Sequence, residues 1–338
     1  NPYSVYAEDV DGDGDMDLLS AKYSSEEIVW YENDGSESFT EHVISETADG
    51  AHSVYTSDVD GDGDMDVLSA SVVSDKIAWY ENDGSESFTE HVISDTADGA
   101  KSVHAVDVDG DGDMDVLSAS SGDHKIAWYE NDGSQSFTEH TIGTGSSPQF
   151  VYATDVTGDG NIDVLAIFWG YGRVILYEND GNENFTENEV GGTPAGTSVY
   201  AADMDGDGDM DVLSSKDDSY NNPSKITWYE NDGSQNFTSH IIMSAYGTDF
   251  YSVYAADMDA DGDMDVLSAG QSSDAIAWWE NDGSESFTEH VISDTANGAR
   301  SVFAADVNGD GNMDVLSVSS FDHKIAWYEN QDSAIDWQ

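Results

Sequence analysis

Asp58-Val59-Asp60-Gly61-Asp62-Gly63-Asp64-Met65-Asp66 is the stretch that decides how this chain folds. It alternates carboxylates at odd positions with two glycines, and close copies begin at Asp9, Asp107, Asp155, Asp203, Asp257 and Asp306. The seven copies are spaced by 49, 49, 48, 48, 54 and 49 residues. So regular a period marks one supersecondary unit repeated along the chain. It overrides the two-domain expectation that 338 residues alone would carry. The reading is a single closed array over residues 1–338, with units beginning near residues 4, 53, 102, 150, 198, 252 and 301.

The third unit shows what is repeated. Ser102-Val103-His104-Ala105-Val106 is a short apolar run leading into the aspartate loop, and Val116-Leu117-Ser118-Ala119 follows it. Lys125-Ile126-Ala127-Trp128-Tyr129-Glu130 is rich in strand formers. Asn131-Asp132-Gly133-Ser134 is a hairpin signal, since Asp-Gly tolerates positive φ, and Phe137 to Ile142 make a fourth run. No segment has helical periodicity. Four short antiparallel strands per unit, seven times over, predict an all-β, seven-bladed β-propeller. Trp30, Trp79, Trp128, Trp228, Trp278 and Trp327 share one position, with Leu176 in the fourth unit, and read as packing between blades. Phe39, Phe88, Phe137, Phe185, Phe237 and Phe287 read the same way.

The ends depart from the repeat. The first unit opens at Ser4-Val5-Tyr6, and the last lacks the Phe-Thr-Glu-His-Val-Ile segment, leaving Ala334-Ile335-Asp336-Trp337 as its one candidate outer strand. The last blade is therefore expected to be incomplete, with its edge covered by another segment or chain.

The loop has the spacing of a calcium site. Calcium takes six to eight oxygens from carboxylates and carbonyls. Positions 1, 3 and 5 present carboxylates as in an EF-hand, glycine at position 6 permits the sharp turn, position 7 offers its carbonyl, and the aspartate at position 9 closes the sphere. The candidate ligand positions are Asp9, Asp11, Asp13, Asp15 and Asp17; Asp58, Asp60, Asp62, Asp64 and Asp66; Asp107, Asp109, Asp111, Asp113 and Asp115; Asp155, Thr157, Asp159, Asn161 and Asp163; Asp203, Asp205, Asp207, Asp209 and Asp211; Asp257, Asp259, Asp261, Asp263 and Asp265; and Asp306, Asn308, Asp310, Asn312 and Asp314. Up to seven Ca²⁺ ions are implied, in a structural role. Thr157 offers only a hydroxyl, so the fourth site is expected to be weakest. Ala260 replaces glycine at position 4 of the sixth loop without loss of a ligand.

Composition narrows the partners. There are 71 acidic and 9 basic residues, for a net charge of −62. Seven divalent cations leave −48, so metal accounts for part of the acidity and the rest reads as a hydrated surface suited to salty surroundings or simple solubility. Nucleic acid and anionic membrane are argued against as partners. There is no cysteine, and no run of 18 apolar residues predicts membrane insertion. The chain begins at Asn1 without a signal-peptide pattern and reads as a processed or excised piece.

The loop, followed by Val67-Leu68-Ser69-Ala70 and Ile77-Ala78-Trp79-Tyr80-Glu81-Asn82-Asp83-Gly84, resembles the FG-GAP/VCBS repeats, a family that includes the integrin α-subunit propeller and many secreted bacterial propellers. The resemblance covers nearly the whole chain. It implies a seven-bladed propeller with calcium between the first two strands of each blade, and an extracellular or cell-surface location. The Phe-Gly and Gly-Ala-Pro elements that name the family are missing, so integrin-type ligand recognition is not carried over. Its members serve as adhesion modules, lectins and parts of polysaccharide-degrading enzymes.

Strand order sorts the loops. The aspartate loops and Asn-Asp-Gly hairpins fall at one end of the ring; the other loops fall at the opposite end, with all nine basic residues in or beside them. The irregular segments around Trp169, Tyr171 and Arg173, and around Tyr220, Tyr246 and Phe250, fall there too, as does Arg300. These seven residues are the candidate ligand contacts, because loops on a rigid scaffold carry binding and exposed aromatics suit sugars. Ancestry of the repeat alone explains the same segregation of charge. His42, His91, His140, His240 and His290 recur once per blade and cannot converge on one catalytic site. Arg173, Arg300, His124 and His323 are the candidates for a lyase-like centre, and nothing gathers them. Asn184-Phe185-Thr186 and Asn236-Phe237-Thr238 match glycosylation acceptors as products of the repeat. The expected function is a non-enzymatic binding or adhesion module for a polysaccharide, glycoconjugate or surface protein at the end opposite the loops. The alternatives are a structural subunit that associates through its last blade and a polysaccharide-active enzyme.

Overall fold

A computed structural model describes all residues except 37, 171, 193–194, 218–221, 332–336 and 338. The described residues form 27 strands in six four-stranded sheets and one three-stranded sheet. No helix among them is long and apolar enough to cross a membrane. Each sheet is an antiparallel meander in chain order. In the third blade the strands are Ala100–Val106, Asp115–Ser120, Lys125–Asn131 and Phe137–Thr144, so each run anticipated there sits inside a strand.

Burial follows place in the blade. Second strands such as Asp115–Ser120 are buried at every residue, because a neighbouring blade covers each face. That is why they read as a near-continuous run of apolar and small residues. Fourth strands such as Phe88–Ser94 form the outer rim and alternate exposed with half-buried positions. Seven apolar clusters each join two adjacent blades, and the one containing Val5, Leu18, Val307 and Leu316 joins the last blade to the first.

The repeated tryptophans pack as expected. Trp30, Trp79, Trp128, Trp228 and Trp278 are at most 1% exposed. Each stacks on the rim histidine opposite it, as Trp79 does on His91 at 4.5 Å, and the histidine Nε2 lies 2.7 Å from Glu81. The once-per-blade histidines are therefore lids on the tryptophans. The fourth blade changes both partners together: Leu176 faces Asn188, whose amide donates to Glu178 at 3.1 Å.

One contact was not legible as such. The hairpin asparagine of each blade is buried and donates through both its backbone and its side chain. Asn131 N donates to Asp115 Oδ1 at 2.7 Å, and its Oδ1 accepts from Gly133 N at 3.3 Å. Its Nδ2 donates to Met114 O at 3.1 Å and, across the blade boundary, to Val59 O at 3.0 Å. Asn33, Asn82, Asn179, Asn231, Asn281 and Asn330 repeat the inter-blade bond, and Asn33 closes the ring by donating to Val307 O at 3.0 Å.

The ring thus closes by packing and hydrogen bonds, with a last blade of three strands ending at Lys324–Tyr328. Of the anticipated fourth-strand segment, Ala334, Ile335 and Asp336 lie outside the described residues, and Trp337 makes a single antiparallel bridge to Asn330. Trp327 is only half-buried among the described residues, covered on one side by Phe39 of the first blade with ring centroids 6.2 Å apart.

Asn131→Ala removes the donors that serve two buried carbonyls, at about 1–3 kcal/mol for each group left unsatisfied. It is expected to lower the thermal midpoint clearly, and Asn131→Asp, which keeps the shape but not the donors, should do no better. Calorimetry of the two variants beside Ser134→Ala, on the exposed hairpin, checks this.

Candidate functional site

The aspartate loops are organised by their first and ninth residues. Asp58 Oδ1 accepts from Gly61 N at 2.8 Å and Asp62 N at 3.1 Å, and its Oδ2 accepts from Gly63 N at 3.1 Å. This wrap needs positive φ at both glycines, +76° and +99°. Asp66 is fully buried; its Oδ2 accepts from Val59 N at 2.9 Å and its Oδ1 from Asn82 N at 2.8 Å. Burial pushes the Asp66 carboxyl up to about 6, against the pull of those two N–H groups. Asp17, Asp115, Asp211 and Asp265 are pushed up to about 6 for the same reason.

Carboxylate oxygens converge within 4.8 Å of one another in five blades: Asp9, Asp11 and Asp13; Asp58, Asp60 and Asp62; Asp107, Asp109 and Asp115; Asp203, Asp205 and Asp211; Asp257, Asp259 and Asp265. These clusters can hold metal ions. The donors are all hard oxygens, which fits a hard divalent cation rather than a soft one. Asp9 Oδ1 fits the same picture, being buried with no partner. Position-7 side chains turn elsewhere. A Cβ on Gly84 of the hairpin would lie 2.4 Å from Asp64 Oδ2, and the same approach recurs between Gly35 and Asp15. Among the described residues the fourth and seventh loops form no three-carboxylate group. There Thr157 N donates to Asp163 Oδ2 at 3.0 Å, and Asn308 Oδ1 accepts from Asp310 N at 3.0 Å. Ala260 loses no ligand, but it sits at φ +59°, in the left-handed region its glycine counterparts occupy without penalty.

The opposite end holds a different kind of site. Every blade's first strand begins with a register shift that skips one residue: Tyr3, His52, Lys101, Gln149, Thr197, Tyr251 and Arg300. A bulge re-aims a side chain, and all seven line one cavity of about 610 Å³ at the axis, with Tyr23, Trp169 and Asp217 on its wall. Arg300 lies between Tyr3 and Tyr251, its guanidinium carbon 4.4 Å from each ring centroid. With its amide oxygen turned toward that guanidinium, Gln271 accepts at 2.9 and 2.8 Å. His52 Nδ1 lies 2.7 Å from Lys101 O, and burial, with Lys101 nearby, holds the imidazole down to about 3 and therefore neutral. Lys101 Nζ donates to Gln149, and Trp169 Nε1 to Asp217 Oδ2 at 3.3 Å.

Below the mouth, Tyr6, Tyr55, His104, Tyr152, Tyr200, Tyr254 and Phe303 form a closed collar of aromatic rings. Successive centroids are 4.6 to 5.1 Å apart. Burial pushes Tyr152 up to about 12 and His104 down to about 4, so the collar is uncharged near neutral pH.

Two of the anticipated ligand contacts, Trp169 and Arg300, meet in this mouth. Phe250 does not: it is 4% exposed and packs edge-on against Trp279 at 6.4 Å, because it occupies the core position where Ala51 and Ala100 sit. Arg173 is held at the periphery by Glu187 and Glu189, each at 3.0 Å, and Tyr246 is 69% exposed outside the mouth. Tyr171 and Tyr220 lie outside the described residues. The lyase-like set stays dispersed, with His323 beside the seventh blade and His124 Nδ1 accepting from Ser147 N at 3.4 Å. Tyr3, His52, Lys101, Gln149, Thr197 and Tyr251 were missed. Their signal was present: each precedes a Ser-Val or Phe-Val pair, and that column varies while its neighbours repeat.

The position-9 carboxyls set a pH dependence. A folded value raised from 3.8 to about 6 means the folded state holds protons that the unfolded chain has released. Stability of the metal-free protein is therefore greatest below about pH 4 from this source and is lost as pH rises through about 6. Melting temperatures in chelator across that range should fall, with the deficit largest near pH 7. Ala260→Gly relieves the left-handed strain and should stabilise by about 1 kcal/mol in a denaturant titration.

A lectin from Agrocybe aegerita, whose structure describes specific recognition of non-reducing terminal N-acetylglucosamine, superposes with a TM-score of 0.62 at 16% identity, covering 94% of this chain and 86% of that one. BBS1N, solved in complex with ARL6DN, gives 0.63 at 12% identity over 95% and 90%. A functionally unknown protein from Desulfotomaculum acetoxidans gives 0.60 at 12% identity over 93% and 88%. At such identities the likeness is one of fold. Comparison with curated proteins gave no match. The FG-GAP-like repeat model matches residues 9–69, 58–118, 107–166, 155–214, 218–268 and 257–317, most of the length, and the chain belongs to the FG-GAP-like repeat family.

Proposed function

We propose that this protein is a calcium-stabilised, extracellular or cell-surface binding module that takes glycans at the mouth formed by the seven bulges. The observation that carries the reading is the bulge ring itself. In a chain that repeats nearly everything else, the seven bulged residues facing the shared cavity are of six different types. Tyr23, Tyr251 and Trp169 supply aromatic surface for sugar rings, while Gln149 and Asp217 supply hydrogen-bonding groups. The cavity of about 610 Å³ lies within the usual range for small-ligand sites. The lectin among the structural neighbours supports the choice of ligand class by analogy only.

Calcium belongs to the opposite rim. Asp9, Asp58, Asp107, Asp203 and Asp257, with their position-3 partners and the position-5 or position-9 carboxylates, would hold it. The ion supplies positive charge that neutralises clustered carboxylates and ties each loop into one conformation. Millimolar calcium outside cells suits such exposed sites.

A glycan array should give discrete hits for the calcium-loaded protein, and Trp169→Ala should lose them while melting normally. Hits that survive Trp169→Ala unchanged would place recognition elsewhere on the ring. Chelation should lower the melting temperature, and calcium should restore it.

A second reading, assembly through the last blade, is favoured by one observation. The strand Lys324–Tyr328, at the edge of its sheet among the described residues, borders a groove of about 810 Å³ lined by Lys22, Tyr31, Phe39, Ile325 and Trp327. Sedimentation over a wide concentration range decides it: association weakened by a charge at Ile325 supports assembly, and a persistent monomer removes it.

A further inference from the structure

Charge at the mouth runs against the rest of the molecule. Several lysines and arginines pair with a carboxylate, although Lys225, in the fifth blade, has no such pair among the described residues. Lys22, Lys76, Lys125, Arg173 and Lys324 all have acidic partners within 4 Å. Lys101 and Arg300 have no such ion pair among the described residues. Their contacts are neutral: Gln149 for Lys101, and Tyr3, Tyr251, Ser320 and Gln271 for Arg300. Both line the same cavity, on blades separated by three steps around the ring one way and four the other. Burial, and after it the nearby Arg300, lower the affinity of Lys101 for a proton, and an anion placed between the two cations relieves that repulsion.

We propose that the mouth binds an anionic saccharide, with a carboxylate or sulfate ester seated by Arg300 and Lys101 and the sugar ring against the aromatic wall. The inference rests on the reading of the mouth as a glycan site and adds the charge of the ligand. Asp217 shares the wall and its charge acts against an anion beside it, so it serves the saccharide elsewhere: one of its oxygens accepts from Trp169, and the other is buried without a partner, an acceptor suited to a sugar hydroxyl. The net charge of −62 does not rule the anion out. The aspartate rim lies a strand length away, and seven residues at about 3.3 Å each put it beyond two Debye lengths at physiological salt. Arg300 is held between two rings with its Nε and Nη2 engaged by Gln271, which leaves Nη1 as the donor for an oxyanion.

Calorimetry on the calcium-loaded protein tests this with four probes: an oligouronate, the same oligomer with its carboxyls reduced to alcohols, a sulfated oligosaccharide of similar length, and succinate. At least one charged saccharide is expected to bind tenfold or more tightly than the reduced oligomer, and which one wins identifies the anionic group. Arg300→Gln and Lys101→Gln should each weaken that binding about tenfold. Arg300→Lys should recover part of it, and Lys324→Gln, remote from the mouth, should change nothing. Melting curves confirm that each variant is folded. Equal binding of reduced and charged oligomers, unmoved by Arg300→Gln, overturns the anion site and leaves the glycan reading intact. Succinate binding alone, abolished by Arg300→Gln, keeps the anion site and removes the saccharide. No binding of any probe overturns both.

Discussion

The buried pair of aspartate and asparagine at each blade's metal end is the constraint on which the ring depends. The position-9 carboxylate takes one backbone N–H from its own loop and another from the hairpin asparagine of its own blade. That asparagine then reaches the loop of the preceding blade. One residue's peptide, Val59 for instance, therefore serves two masters: its N–H binds its own aspartate, and its carbonyl binds the next blade's asparagine. The relay passes through all seven blades and returns to its start. Leaving any link unmade strands buried polar groups, whose desolvation cost is not recovered. Hence the loop cannot drift independently of the hairpin, and the two motifs that repeat most faithfully are the two halves of one network.

This coupling also explains why acidity and stability coexist here. Desolvation would expel the position-9 carboxylates were they not bonded twice. Even bonded, they hold protons more tightly than free aspartate. A cation held by the same loop would replace the proton with a better-placed charge, and the atoms that could hold it are also atoms of the network that closes the ring.

The fold was legible because its signals are local and repeated: strand-length runs, Asp-Gly turns, one large side chain per blade. Its closure was not, because the asparagine's partner lies about seventy residues away and a turn residue looks the same whether or not it reaches a neighbour. Trp169 and Arg300 line the mouth at the loop-bearing end, while Phe250 was drawn in by its loop neighbours although strand alternation turns it into the core. The remaining mouth residues escaped notice because a bulge is created by pairing between strands and has no motif. A column comparison of the seven units would have found them.

That bulge has an evolutionary corollary. A residue skipped by the ladder contributes little to pairing, so its identity is nearly free of folding constraint. Seven such positions converge on one cavity, each encoded in a separate module of about 49 residues. Point changes or the shuffling of whole modules can therefore re-line the cup, combinatorially, while the framework that holds it stays the same.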